Sequence, residues 1–219
     1  MYNESEGIED TIDEVRIIAR ALTDDYEIII SDDASTDGCA DMVGGLAKED
    51  PLLKLIRQET NSKFGGALAA GLKAAGKEII IYTDSDLPIS LHDIKMSLPM
   101  IENADVVTAV SKVHKGENLK RKIISFGYNS LLKILFGMNL RDINSGYKIF
   151  RKSILEGVEL MSKSPFVDAE IFVKVLRKGG RVKEYPIIFR ARKQGVSKVA
   201  RISVILATFR DMFIFRLKG

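Results

Sequence analysis

The chain has 219 residues, 46% of them hydrophobic and 29% charged, the proportions of an ordinary globular domain large enough for its own core. One cysteine, Cys39, excludes an internal disulfide and a cysteine-based zinc cluster and makes a reducing compartment the default; two histidines, His92 and His114, leave little for a histidine-led metal site. The net charge of +3 conceals a polarity. Residues 1–50 carry 15 acidic and 3 basic side chains and the other 169 carry 15 acidic and 30 basic, so the later part suits an anionic partner.

Ile12, Val15, Ile18, Ala19 and Leu22 share one helical face and predict a helix over 9–22. The run 27–31 reads as a buried strand entering Asp32-Asp33, and 36–48 as a second helix capped by Ser35 or Thr36. A short strand over 52–57 and an Ala/Gly-rich helix over 65–75 follow, then an apolar strand over 78–83 that ends in Asp84-Ser85-Asp86. Helix 91–101 and strand 104–110 extend a βαβα order, which argues for a largely parallel sheet covered on both faces.

From Lys112 the character changes, with ten Lys or Arg over 112–152 against two acids, Glu117 and Asp142. A helix over 123–136, a turn at 137–140, a strand over 147–150 and a helix over 166–178 stopped by Gly179-Gly180 are expected there. Pro186 places strand 182–189 at an edge, and 199–217 reads as a basic helix with an apolar face. The apolar runs are too short or too interrupted by charge to span a membrane.

Asp84 and Asp86 read in two ways, as solvated acids on a strand-end turn or as a cation site that carries the chemistry. On an extended strand, carboxylates at i and i+2 point to one face, and as neighbouring anions they call for a cation. Oxygen-only donors at a sheet mouth suit Mg²⁺ or Mn²⁺ shared with substrate phosphates. Asp32-Asp33 falls at the same edge, where ligands of open α/β sheets gather. Charge alone leaves nucleic acid, a phospholipid surface and a phosphorylated lipid open as partners. The basic stretch lacks an aromatic stacking motif, which argues against nucleic acid.

Six pieces in order carry a resemblance: Tyr2-Asn3-Glu4, Asp32 to Gly38, Asn61 to Gly71, Asp84-Ser85-Asp86-Leu87, Asp142 to Lys148, and Arg192 to Lys198. Together the chain resembles the family 2 glycosyltransferases of GT-A fold, in particular dolichol-phosphate mannose synthases and polyprenyl-phosphate glycosyltransferases. The resemblance implies an α/β, Rossmann-like GT-A domain over 1–198 with a mostly parallel central sheet, followed by a basic amphipathic helix over 199–219. It implies inverting transfer of a sugar from a nucleotide-sugar donor, GDP-mannose or a UDP-hexose, to a polyprenyl or dolichyl phosphate. A hydroxyl acceptor, or a nucleotide-sugar-binding relic without activity, is the alternative.

By the same resemblance Tyr2, Glu4, Asp32, Asp33 and Asp84 hold the nucleotide, and Asp84 and Asp86 hold Mg²⁺ or Mn²⁺. Lys112, Arg121, Ser125 and Lys198 contact the acceptor phosphate, with Asp86, Arg121 and Arg192 acting in catalysis. Asp142 and Ser145 line the sugar pocket, or serve as turn residues; Glu170 is read as the structural partner of a nearby Arg. Pro88 stands where several relatives place a metal-binding Gln. Hydroxyl-directed relatives need a carboxylate base, commonly in a Glu-Asp pair, which the latter half lacks. Relatives also open with an apolar strand before Tyr-Asn-Glu. Met1 directly precedes Tyr2 here, so the expectation is an internal methionine and a natural start about ten residues earlier. The expected location is cytoplasmic, with the terminal helix either packed on the domain or lying peripherally on the inner face of the membrane.

Overall fold

The computed structural model describes residues 1–112, 119–190 and 202–218, with the backbone alone for 119–125. Helix α1 (Ile8–Arg20) leads to β1 (Ile28–Asp32), α2 (Cys39–Glu49), β2 (Leu53–Arg57), α3 (Lys63–Ala74) and β3 (Ile79–Thr83). Then come α4 (Leu91–Ser97), a 3-10 turn (Leu98–Asn103), β4 (Val106–Ser111) and α5 (Leu119–Phe136). The last described part holds β5 (Tyr147–Arg151), the short α6 (Lys152–Leu155), α7 (Phe166–Arg177), β6 (Val182–Ile187) and α8 (Ile202–Lys218). The helix expected over 91–101 divides at Leu98: Pro99 in its second half has no N–H to continue the α pattern, and the chain tightens into 3-10 geometry.

The fold is α/β, as the periodicity implies, but the strands form two groups. β1 pairs with β2 in parallel, and a four-stranded sheet has the order β3-β5-β4-β6. In that sheet β4 and β6 run parallel while β5 runs antiparallel between β3 and β4. The largely parallel expectation therefore holds for two of the pairings; β5, reached from β4 through α5 and the loop 137–146, runs back between β3 and β4 and is antiparallel to both. Among the described residues no strand lies between β1 and β3. Met1 follows the open edge of β1 instead, its nitrogen donating to Ser31 O (2.7 Å) and its carbonyl accepting from Asp33 N–H (2.9 Å). Pro186 lies in β6, which ends the order as an edge strand, where a missing N–H is tolerated.

Strand alternation sorts the sheet into two faces. Ile80, Tyr82 and Phe150 face α7, α5 and α8 in one core with Phe166, Phe172, Met212 and Phe215. Ile79, Ile81, Val107 and Ile149 face the other way, against Ile18 of α1 and Ile94 of α4. A third cluster joins Ile8 and Ile12 of α1 to Ile28, Val43 and Leu53. Helix α8 buries Met212 and Phe215 and leaves Ile202, Leu206, Phe213 and Leu217 exposed. Among the described residues no helix is long and apolar enough to cross a membrane.

Candidate active site

The first half of the site is built on the loop after β1. Helix α2 starts at Cys39, with left-handed Gly38 (φ 85°) as the residue before it and no side-chain cap, so neither Ser35 nor Thr36 has the expected role. Ser35 Oγ instead accepts from Asn3 N–H (3.0 Å), and Asn3 Oδ1 accepts from Thr36 N–H (2.9 Å). Asp37 accepts from Ser5 N–H (2.9 Å) and Cys39 N–H (3.1 Å). Burial alone would raise its carboxyl, but these bonds and the Cys39 thiol hold it well below the usual range. The segment carrying Tyr2 and Glu4 is thereby docked on the loop carrying Asp32 and Asp33.

Asp32 and Asp33 divide their work. Asp33 Oδ1 accepts from Ser62 N–H (2.5 Å) and Ser62 Oγ (2.8 Å), which ties it to the start of α3. Asp32 is fully buried and accepts from Ser35 N–H (3.2 Å) through Oδ2, with Arg57 Nε at 4.0 Å. Its Oδ1 has no hydrogen-bond donor among the described residues, nor does the buried Oδ1 of Asn61. Two buried acceptors without donors are what a nucleoside's N–H and hydroxyl groups would satisfy. Asn61 was legible only as the first residue of a motif.

The second half lies at the carboxyl end of β3. The strand stops at Thr83, and Asp84 to Leu87 form a turn closed by Leu87 N–H donating to Asp84 O (3.0 Å). The shared strand face inferred for Asp84 and Asp86 is therefore replaced by a turn, which presents the two carboxylates from its first and third positions. Thr11 Oγ donates to Ser85 O (3.0 Å) and to Gly7 O (3.0 Å), pinning the turn to the start of α1 and hence to the first half of the site. Pro88 supplies no side-chain donor atom; its carbonyl accepts from Arg190 N–H (2.9 Å).

Asp84 is held on three sides. Tyr82 Oη donates to its Oδ1 (2.7 Å), and its own N–H donates to Gly146 O (3.2 Å). A Cβ on Gly146 would lie 3.0 Å from Asp84 Cγ and closer still to its Oδ2, so the carboxylate occupies the space a side chain would fill. Burial, then the charges of Asp84 and Asp168, hold Tyr82 well above the usual phenol range, so its proton stays available to Asp84. Oxygen donors fixed in this way fit a hard divalent cation. Among the described residues no group of three His, Cys, Asp or Glu could hold a metal, so further ligands would come from diphosphate and water, as is usual for Mg²⁺ sites.

Behind Asp84 lies a buried ion pair that sequence reasoning missed: Lys148 Nζ and Asp168 Oδ1, 2.8 Å apart, with Lys148 wholly enclosed. Burial pushes the Asp168 carboxyl up to about 6 despite the opposing pull of Lys148, and Asp84 and Asp142 add to the rise. The folded value thus lies above the unfolded one, near 4. This group's contribution to stability is complete below the unfolded value and is lost as pH rises through about 6. Relative to Asp168→Asn, the wild-type protein is therefore expected to lose stability between about pH 4 and 6 and to run parallel above pH 7, as read from urea midpoints. A gap that widens in favour of the wild type over that range contradicts the assignment.

Ser145 is buried and its hydroxyl stays within its own turn, bonding the Tyr147 backbone. Asp142 lies half-buried in the same loop, near enough to raise Asp168. Glu170 accepts from Met161 N–H and Ser162 N–H (2.9 Å each) and pairs with Lys174 (2.7 Å), so its cation is a lysine one turn on rather than the expected arginine. Lys112 is exposed at the end of β4. The side chains of Arg121 and Ser125, on α5, and the residues Arg192, Lys198 and His114 lie outside the described residues.

An α/β domain with paired carboxylates on the turn after β3, beside the polar loop after β1, has the arrangement of a GT-A type of site. The model of glycosyl transferase family 2 matches residues 1–158, and the chain belongs to that family. It is 29% identical over 209 residues to an undecaprenyl-phosphate mannosyltransferase of Micrococcus luteus, covering 91% of this chain and 84% of that protein. It is 30% identical over 208 residues to a dolichol-phosphate mannosyltransferase of Pyrococcus furiosus, covering 90% of this chain but 57% of that protein. Among solved structures, mannosyl-3-phosphoglycerate synthase of Rubrobacter xylanophilus superposes with a TM-score of 0.73 at 17% identity, over all of this chain and 74% of the other. A mannosyltransferase of Pyrobaculum calidifontis, solved with GDP-Man and Mn²⁺, gives 0.68 at 19% identity, over 98% of this chain and 62% of the other. These structures support the GT-A fold.

Proposed function

We propose that the protein transfers a sugar, with inversion, from a nucleotide-sugar donor such as GDP-mannose or a UDP-hexose to a polyprenyl phosphate. The observation that carries the acceptor class is the commitment of both carboxylates on α7. Asp168 is paired with Lys148, and Glu170 is spent on two backbone N–H groups and Lys174. Neither is placed to deprotonate a hydroxyl, and an acceptor phosphate arrives already anionic and needs no base. The similarity to the Micrococcus and Pyrococcus proteins, named for lipid phosphates, supports the same reading.

In this mechanism Asp32 and Asn61 orient the nucleoside through their unpartnered oxygens, helped by Tyr2 and Glu4 on the docked segment. Asp84 and Asp86 would hold Mg²⁺ or Mn²⁺ against the donor diphosphate. The ion, when bound, neutralises the charge that gathers on the leaving diphosphate. A phosphate oxygen of the acceptor forms a bond to the anomeric carbon as the bond to the diphosphate breaks, and the nucleoside diphosphate departs with its electron pair. Lys112, Arg121, Ser125, Arg192 and Lys198 would steady the two anionic groups against their mutual repulsion, and Asp142 would orient a sugar hydroxyl. Ile202, Leu206, Phe213 and Leu217 of α8, flanked by Arg210 and Arg216, support a peripheral contact with the cytoplasmic face of the membrane that carries the acceptor.

The test incubates the protein with labelled GDP-mannose or UDP-glucose, Mn²⁺ and dolichyl phosphate. Lipid-extractable label that disappears with chelator is the expected result; nucleotide binding without transfer, or label on a hydroxyl acceptor alone, overturns it. Gly146→Ala is expected to lower transfer roughly a hundredfold by displacing the Asp84 carboxylate, with thermal stability checked in parallel. Unchanged transfer would mean that Asp84 does not work from this position.

A further inference from the structure

A fully enclosed ammonium stands behind the site and touches no surface that a substrate could reach. Lys148 projects from β5 towards α7, directly across the strand pair from Tyr82. Its Nζ donates to Ser145 O (2.5 Å), lies 2.8 Å from Asp168 Oδ1, and sits 5.3 Å from the Tyr82 ring centroid and 5.9 Å from that of Phe172. A lysine at this depth carries a large desolvation cost, and leucine or methionine would fill the space without it. The sheet face around it carries Ile80 and Phe150 of the same core and one further buried polar residue, Thr108, paired in register with Lys148 on β4, while Phe172 closes over it from α7.

Two of these contacts lead to Asp84. The Tyr82 ring under the ammonium carries the hydroxyl that donates to Asp84 Oδ1 (2.7 Å). The Ser145 carbonyl fixes the loop whose next residue, Gly146, accepts the Asp84 N–H (3.2 Å) and whose Cα borders Asp84 Oδ2. Asp168, the third contact, ties the ammonium to the first turn of α7. One cation therefore fixes the ring on one side of the Asp84 carboxylate and the loop on the other.

We propose that Tyr82 and Lys148 are positioning residues for the metal–diphosphate site. Tyr82 sets the rotation of the Asp84 carboxylate, and Lys148 locks Tyr82 and the 142–146 loop in register with each other. The proposal rests on the reading above in which Asp84 meets a divalent cation and a nucleotide diphosphate. Groups that orient metal-binding carboxylates typically change metal affinity 10–100-fold when removed. A lysine that merely fastened the core would change stability and leave metal affinity alone.

Tyr82→Phe separates the two, because it keeps the ring beneath the ammonium and removes only the donor to Asp84. The measurement is a Mn²⁺ titration of the whole protein with GDP or UDP present, following free Mn²⁺ by electron paramagnetic resonance, alongside the thermal midpoint. Tyr82→Phe is expected to weaken Mn²⁺ binding about tenfold while nucleotide binding in chelator stays at the wild-type level. Lys148→Arg, which keeps the charge but replaces a compact donor by a wide planar fork, is expected to weaken Mn²⁺ similarly. Wild-type Mn²⁺ affinity in Tyr82→Phe overturns the proposal, even if Lys148→Arg fails to fold. Failure of the wild-type protein to bind Mn²⁺ with nucleotide overturns the reading of the site itself, and the positioning role with it.

Discussion

Lys148→Met is expected to lower the free energy of unfolding by about 3–5 kcal/mol, the usual cost of removing one partner from a buried ion pair. Methionine follows the same path between the Tyr82 and Phe172 rings and keeps favourable sulfur–aromatic contact, so lost packing is a minor part of the effect. What remains is Asp168, almost wholly buried and 2.8 Å from a cation that is no longer there, and a Ser145 carbonyl without its donor. Against a total stability of about 5–15 kcal/mol for a domain, the loss puts the variant near its folding threshold. Lys148→Met combined with Asp168→Leu is expected to recover most of it, since an apolar pair of similar volume often matches a buried salt bridge. Urea unfolding of the two variants and the wild type measures both. A single variant within about 1 kcal/mol of wild type would mean that the pair contributes little beyond a surface ion pair.

Much of the architecture was readable from periodicity, because amphipathic helices such as α1 and apolar strands such as β1 and β3 write their burial into adjacent residues. Their observed bounds, Ile8–Arg20, Ile28–Asp32 and Ile79–Thr83, fall close to the expected ones. What periodicity cannot carry is pairing. The reversed direction of β5, the division of the strands into two groups and the turn at Asp84 depend on contacts between segments far apart in the chain. The start of α2 was misread because Gly38 supplies a left-handed entry while Ser35 and Asp37 are drawn off to the Asn3–Ser5 segment.

The site divides in the same manner. Asp32, Asp33, Asp84 and Asp86 stand at strand ends, where a short apolar run announces them. Lys148 and Asp168 are twenty positions apart on a strand and a helix, and neither has a local signal of its role. One clue was present: a lysine inside the apolar run Tyr147-Lys148-Ile149-Phe150 breaks the expectation that lysine stays in water, and its burial demanded a partner. The consequence is a candidate site lined by acids with an internal counter-cation, Lys148, enclosed behind it. The positive charge that would meet the acceptor is supplied from other segments, Lys112 at the end of β4 among them.

Asp86→Asn is expected to reduce sugar transfer by about a thousandfold, on the view that a bound divalent cation supplies several kcal/mol to the departing diphosphate. Asparagine matches the size and keeps one oxygen, so the change removes the charge with little change of shape. The backbone around it is independently fixed. Leu87 is buried with a left-handed backbone (φ 42°), a conformation that costs a non-glycine residue about 1–3 kcal/mol and persists because its side chain is gripped by the core with Ile89 and Ile94. The closing bond from Leu87 N–H to Asp84 O and the Thr11 bond to Ser85 O hold the other end of the turn. Thermal midpoints of Asp86→Asn and wild type should therefore agree within about 2 °C, while the Mn²⁺ concentration needed for half-maximal transfer rises. If instead the variant transfers sugar at the wild-type rate across a Mn²⁺ series, the turn is structural and the diphosphate is neutralised elsewhere, with the basic residues of the later half the first place to look.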